Sequence, residues 1–327
     1  MTNRRHALLL GPSCLAGFAL IMSRALAESY PARPIRLVIP FAPGGAADAI
    51  GRPWAEKMDA LLGTVIVENQ GGAGGVLGVT AVAHVQPDGY TILLSSAGPQ
   101  VLMPIAGNAP YDPSKDFTPI SILVVTSGSI IIHPSVPARN LSEFIAYAKA
   151  NPGKLSYGTP GPGSLNYLSV ELFKSRAGMN DIIHVPYKGG GPATADLIGG
   201  QIPMAALNIT GQLLDLHHSG KVRMLAVTAP ARIIAAPDIP TSAEQGFPDL
   251  IAQNFFGLFA PAGTPTAIIE QISDATRRAM ADGAFQQRLI ASGFEPYLDS
   301  SPEAAKRFVK EEIDRWRPVV MAIGLRP

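Results

Sequence analysis

Apolar residues come along this chain in short continuous runs, set off by glycine and proline turns and by longer stretches with helical spacing. "IRLVIPF" (35–41) is a buried strand. It breaks at Pro-Gly-Gly into "AADAIGRPWAEKMDALLG" (46–63), whose apolar positions repeat as in a helix, with Gly63 at the C-cap. Pro53 lies inside this helix and predicts a kink near Ile50 or Gly51, because it removes a backbone donor. "TVIVEN" (64–69) is a second strand, the glycine cluster from 71 to 78 runs into a second helix, and "YTILLSS" (90–96) is a third strand. Strand, helix, strand, helix, strand at this spacing implies a parallel sheet with right-handed crossovers.

"FTPISILVVTSGSIIIHP" (117–134) is long for a strand and reads as one that leaves one sheet and enters another. A second α/β series follows. A helix opens at Asn140 with Glu143 at capping-box spacing, "LSYGTP" (155–160) is a strand, and 163–178 is a helix ended by Gly178. Strands at 182–187, 202–209 and 222–229 and a short helix at 191–200 complete it. "IAQNFFGLFAPAG" (251–263) reads as a return crossing, followed by two helices. The first is expected to open with Thr264 at N-cap and Pro265 at N1, the second with Ser301, Pro302 and Glu303. The expected fold is α/β: two lobes joined by two crossing strands. Lobe one is 28–127 plus 252–327, and lobe two is 128–251.

The N-terminus changes where this fold is expected to work. Arg4 and Arg5 precede an apolar stretch (7–22), and Ala-Leu-Ala at 25–27 is a cleavage site, so an export signal occupies 1–27 and the mature chain begins at Glu28. The arginine pair also permits a twin-arginine route. The one cysteine, Cys14, falls inside the signal, which leaves a mature chain without disulfides, held by ordinary cores. The whole chain has 26 basic and 25 acidic residues, and loss of Arg4, Arg5 and Arg24 leaves 23 against 25. No basic stripe suggests nucleic acid, and no later apolar run is long enough and free enough of Pro, Gly and charge to span a membrane. The mature chain is expected to be exported.

A search for chemistry mostly excludes it. Ser164 sits on a strand-to-helix turn, but "GPGSLN" lacks the glycine of a nucleophile elbow. Neither S-x-x-K nor H-E-x-x-H occurs. Of the mature histidines only His217 and His218 adjoin, and neighbours on a helix diverge by about 100° and do not chelate. No metal is expected. Gly72, Gly74 and Gly78 give a dinucleotide-like pattern one residue too long, after the second strand and not the first, and no G-K-[ST] follows either glycine loop, so no cofactor is expected. Two turns of one type remain, "PFAPGGAAD" (40–48) and "GTPGPGS" (158–164). Each follows a strand, opens a helix, and exposes backbone N–H groups that suit a carboxylate. Asp48 has no partner visible for general-base work and reads as a cap or a ligand hydrogen-bond acceptor.

The stretches "PIRLVIPFAPGGAAD", "VIVENQGGAGGVLG", "PDGYTILLSS", "YDPSKDFTPIS", "HVPYKGGGPATADLIGGQI", "IPTSAEQGFPDL" and "FFGLFAPAGTP" together resemble the tripartite tricarboxylate transporter substrate-binding proteins, the Bug-type receptors, over nearly all of the mature chain. The resemblance implies an α/β fold of the periplasmic binding protein type II-like kind, a Venus-flytrap receptor in the periplasm that captures a small carboxylate for membrane transporter subunits, without enzymatic activity and as a monomer. It implies one grip from Phe41, Gly44, Gly45, Ala46 and Asp48 and another from Thr159, Gly161, Gly163 and Ser164, with Ser95 or Ser96 and Asn208 lining the pocket. The chain departs from the family pattern at Ala47, where a hydroxyl residue is usual, at Tyr167, where a histidine is usual, and at Pro160 and Pro162, which stiffen the second loop. These departures predict a less polar or aromatic carboxylate in place of citrate. Two other functions fit the same pocket: a ligand-sensing partner of a membrane sensor kinase, and an exported hydrolase or lyase using Asp48 or Ser164.

Overall fold

The computed structural model describes residues 30–299 and 301–323; the export-signal residues, with Cys14 and the 25–27 cleavage site, lie outside the described residues. Strands β1 (Ile35–Ile39), β2 (Val65–Asn69) and β3 (Thr91–Ser96) are parallel, with β1 in the middle. Helices α1 (Ala46–Leu61) and α2 (Val76–Ala83) make their crossovers. Helix α1 runs unbroken through Pro53, and the Gly63 amide closes its end on the Met58 carbonyl at 2.8 Å. After β3 come a single π turn (Gly98–Leu102) and two short helices, α3 (Met103–Ile105) and α4 (Pro113–Asp116), none of which has a periodic signal in the sequence.

Strand β4 (Phe117–Ile132) is 16 residues long and changes partners along its length, as its apolar run suggests. Its first part pairs antiparallel with β9 (Gln253–Pro261) as far as Ser127, and from Gly128 onward it pairs with β7 (Met204–Asn208) and β8 (Arg223–Val227). The second sheet continues through β5 (Ser156–Thr159) to β6 (Ile183–Pro186), so the whole order is β2-β1-β3-β9-β4-β7-β5-β6. Helices α5 (Leu141–Ala150), α6 (Leu165–Ala177), α7 (Gly190–Ile198) and α8 (Gly211–His218) cover this second part. The Asn140 side chain caps α5 by accepting from the Glu143 amide at 2.8 Å.

Past β9 the structure corrects two expectations. Helix α9 (Thr266–Met280) begins one residue late, because Pro265 occupies the cap and Thr264 turns its hydroxyl back to the Pro261 carbonyl at 2.8 Å. Three helices, not two, follow the crossing. Asp282 accepts from the Ala284 and Phe285 amides and starts α10 (Gly283–Ala291), and a three-residue strand β10 (Phe294–Pro296) then pairs with β4. Helix α11 (Pro302–Ile323) opens on Ser301 as expected, its hydroxyl accepting from the Ala304 amide at 3.1 Å.

Each part of the sheet is covered by helices on both faces, which is why its strands read as apolar runs without alternation. In the first part α1, α9 and α10 pack on one face, and α2, the π turn and α11 on the other. In the second, α5 and α6 oppose α7 and α8. Trp54 in the middle of α1 is fully buried, and its indole donates to Thr276 on α9 at 3.2 Å, which ties the two helices together over the first part of the sheet. With the helices clamped this way, their first turns point at one cleft.

A cavity lined by helix N-termini

Four helices begin at one cavity. Gly44, Gly45, Ala46 and Ala47 bring the start of α1 to it, and Ser164, Leu165 and Asn166 the start of α6. Gly190 and Thr194 belong to α7, and Thr210 and Leu213 to the start of α8. The N-caps of α1 and α7 are Gly45 and Gly189, and neither makes a side-chain cap. No side-chain cap takes up the first N–H groups of either helix, and in α1 the Asp48 amide turns back to the Gly45 carbonyl at 3.1 Å. Ser164 and Thr210 cap α6 and α8 by accepting from the Tyr167 and Leu213 amides, each at 3.2 Å. Each helix end contributes about half a positive elementary charge and favours an anion by about 0.3–1 kcal/mol when exposed, more when buried. No Asp, Glu, Lys, Arg or His lines the cavity, so these backbone ends set its potential.

The apolar wall comes from Phe41, Leu165, Leu207, Leu213 and Phe256, and the polar wall from Ser96, Asn166, Asn208 and Asn254. Ser96 lines the cavity and Ser95 does not, because the pleat turns alternate residues to opposite faces. Ser96 follows Ile92 and Leu94 on the face covered by α1 and α9, while Ser95 follows Leu93 to the α2 and α11 side. Asn208 accepts from Asn166 at 3.1 Å.

Asp48 does not line this cavity. Its carboxylate is held by Arg52 Nε at 2.8 Å, by Asn69 Nδ2 at 2.9 Å and by the Gly44 amide at 3.3 Å. Asn69 also donates to the Phe41 carbonyl at 3.0 Å, so the three side chains brace the first loop from behind. Burial pushes the Asp48 carboxyl up, but these hydrogen bonds together outweigh it and hold the group below the ordinary carboxylate range. Arg52 and Asn69 had no place in the sequence reading; the polar end of "VIVEN" was their one signal.

The second loop is braced without charge. Thr159 Oγ1 accepts from the Gly161 amide at 3.2 Å and meets His184 Nε2 at 2.7 Å. The Ser164 hydroxyl donates to the Gly161 carbonyl at 2.8 Å, so it has no base to activate it. Thr159, Gly161 and Gly163 shape this loop from outside the cavity wall. Tyr167 lies outside the cavity wall and packs at a tilt of 42° against His184, ring centroids 4.6 Å apart.

The glycine turn that opens α7 packs against the first loop, and Gly71 comes as close, a Cβ there lying 2.7 Å from Ala42 N. A Cβ added to Gly45 would lie 3.2 Å from Gly190 N, and the Ala42 amide donates to the Lys188 carbonyl at 2.8 Å. The second loop instead meets the 71–75 glycine cluster, where a Cβ on Gly161 would lie 2.9 Å from Gly74 N. The partners of both glycine turns are distant in sequence, so no local pattern marks these approaches. Among the described residues no group of three or more His, Cys, Asp or Glu is placed to hold a metal, and no helix is long and apolar enough to cross a membrane.

A mixed α/β sheet that runs through two lobes, with a cleft lined by helix N-termini, defines a two-lobe solute-binding receptor; the solved structures it is similar to include the periplasmic binding protein BugD, 36% identical with a TM-score of 0.85 over 91% of this chain and 99% of that one. The model of the tripartite tricarboxylate transporter family receptor matches residues 50–325, and the chain belongs to that family. Protein BugT of Bordetella pertussis is 36% identical over 317 residues, covering 95% of this chain and 94% of BugT. MatC from Rhodopseudomonas palustris, solved with malate, is 33% identical with a TM-score of 0.84, over 89% of this chain and 100% of that one. Rpa4515 of R. palustris, solved with adipate, is 32% identical with a TM-score of 0.85, over 91% and 99%. The family is described as one of transporter receptors, and this chain is a solute-binding receptor, not an enzyme.

Proposed function

We propose that the protein captures a small carboxylate, aromatic or weakly polar, and delivers it to the membrane subunits of a tripartite tricarboxylate-type transporter. The observation that carries this reading is the convergence of four helix N-termini on a cavity with no ionisable side chain. An anion is favoured there by backbone dipoles, while Phe41, Leu207, Leu213 and Phe256 favour an apolar body over the polar surface of citrate. The binding of malate by MatC and of adipate by Rpa4515 supports the carboxylate class.

In this reading the lobes are 28–127 plus 252–327, and 128–251. Phe41, Gly44, Gly45, Ala46, Ser96, Ser164 and Asn208 touch the ligand, and Asp48, Ser95, Thr159, Gly161 and Gly163 hold the walls in shape. A ligand seated on one lobe completes its hydrogen bonds only when the other closes, so it stabilises the closed form, which the transporter subunits recognise. The protein works as a monomer in the periplasm, with its signal removed after Ala27. Native mass spectrometry of freshly purified protein, followed by a thermal-shift screen of carboxylic acids, tests this. A co-purified or stabilising carboxylate is expected. A panel in which citrate stabilises most and aromatic acids not at all would overturn the weakly polar assignment, and N-terminal sequencing of exported protein should begin at Glu28.

A further inference from the structure

A second cavity lies on the first part of the fold, away from the one between the lobes. It has a volume of about 400 Å³ and is walled by the π turn and α3, by the 111–114 turn and by α11. It shares no lining residue with the cavity of helix N-termini. That size suits a small molecule. Val101, Pro104, Ile105 and Ile313 supply its apolar wall.

Gln100 lines it from the floor. The residue is 0% exposed, and neither its Nε2 nor its Oε1 has a hydrogen-bond partner among the described residues. A buried amide left unbonded destabilises a fold, and such groups are few in native proteins. Gln100 also sits in the π turn, a helix irregularity frequent at functional sites. Other polar groups of the wall are already engaged. The Tyr111 hydroxyl donates to the Pro99 carbonyl at 2.7 Å, and burial raises its pKa, so it keeps its proton. The Asp112 carboxylate accepts from the Ser114 amide at 3.0 Å and hydroxyl at 2.6 Å, and pairs with Lys115 at 2.8 Å. Arg317 stands exposed at the mouth, and Asp314, one turn back on α11, has Lys310 as its partner at 2.7 Å.

The cavity thus offers one neutral amide inside and one guanidinium at the rim. A side-chain amide presents an acceptor beside a donor, so its complement is a group with a donor beside an acceptor: a carboxamide, a urea or a lactam. A carboxylate would satisfy only the NH₂ and an ammonium only the carbonyl, and either charge would be buried without a counter-ion. Arg317 favours a carboxylate on the outer end of the same molecule. We infer that this cavity is an accessory binding site for a small acid bearing an amide or urea group, docked on Gln100 by a pair of hydrogen bonds and held at its outer end by Arg317. The inference does not depend on what binds between the lobes.

Succinamate and N-carbamoylglycine are the probes, with succinate, which lacks the amide, as the matched control. Calorimetry on purified protein carrying Gly45→Val keeps binding between the lobes from masking the second site, and hydrogen exchange locates the bound probe. At least one probe is expected to bind and to protect 98–117 and 302–323, with succinate weaker by about tenfold or more. Gln100→Leu, added to that protein, should weaken the probe by about tenfold and raise the melting temperature of the unliganded protein, since it removes an unpaired buried amide. Arg317→Gln should weaken the probe by about two- to fivefold.

Absence of binding by both probes at millimolar concentration overturns the inference. So does affinity unchanged by Gln100→Leu, or protection confined to the cavity between the lobes. A lower melting temperature in Gln100→Leu would show that the amide is bonded within the chain and would overturn it as well.

Discussion

The two loops that grip the cavity look alike in sequence and are built on opposite principles. The first is tied by charge: Asp48, Arg52 and Asn69 hold "PFAPGGAAD" from behind. The second is tied by neutral groups: Thr159, Ser164 and His184, with Pro160 and Pro162 limiting the backbone. Each loop then meets a glycine turn from elsewhere in the chain. A similar-looking strand–glycine–helix signal can thus be kept rigid either by an ion-pair knot or by a stack of hydroxyls and rings, and the two should fail under different challenges.

The largest effect should come from filling the close approaches. Gly45 has φ −96°, open to any residue, so Gly45→Val adds no backbone strain and acts only through its 3.2 Å approach to Gly190 N. We expect ligand affinity to fall by about 100-fold or more, with a near-native melting temperature for the unliganded protein. Gly161 has φ +132°, where side chains are disfavoured, so Gly161→Val should lose both affinity and intrinsic stability. Calorimetry paired with thermal melts separates the two. Equal destabilisation by both variants would show that the first loop is as strained as the second, and retained affinity in either would remove that loop from the site.

Next in size is the loss of the charged knot. Asp48→Asn leaves Arg52 without its ion pair and turns one acceptor into a donor facing others. Affinity should fall by about tenfold through a loosened first loop, whereas Thr159→Val, which removes a neutral hydroxyl, should cost only about 1 kcal/mol in stability. If the Asp48 variant binds as tightly as the parent, the knot does not position the loop.

Much of this was legible from sequence because it is local. The strand, Pro-Gly-Gly and helix of 35–61 declare themselves by periodicity, and the 16-residue β4 is too long for one sheet. What stayed hidden depends on non-local pairing. The glycines at 71–75 and 189–191 look like ordinary turns until their partners across the cleft are known. The two adjacent serines of β3 differ only in which face the pleat gives them. Asn254 did carry a signal, since an amide inside "AQNFFGLFA" is a polar group in a buried strand and needs a reason. The extra helix α10 was missed because Asp282-Gly283 opens a run too short to show periodicity.

The smallest effect, and the one that separates the loops most cleanly, is the response to acid. Burial against Tyr157 and Tyr167 pushes His184 down to about 4, with Lys174 lowering it further and Glu171 acting in the opposite sense. Its folded value lies below the ordinary 6.5, so the unfolded chain takes up the proton first. The stability tied to neutral His184 is therefore complete above pH 6.5 and is lost progressively as pH falls toward about 4. Asp48, also held low, contributes stability that is complete above its ordinary value of about 4 and is lost only as pH falls through its lower folded value. Between pH 6.5 and about 4.5, then, the second loop should weaken while the first does not. Melting temperature and ligand affinity should both decline across that window, and His184→Gln, which keeps a polar partner for Thr159, should flatten the decline. Asp48→Asn should leave the slope in that window unchanged and alter only the limb below pH 4. A decline that survives in His184→Gln would place the acid sensitivity outside the second loop.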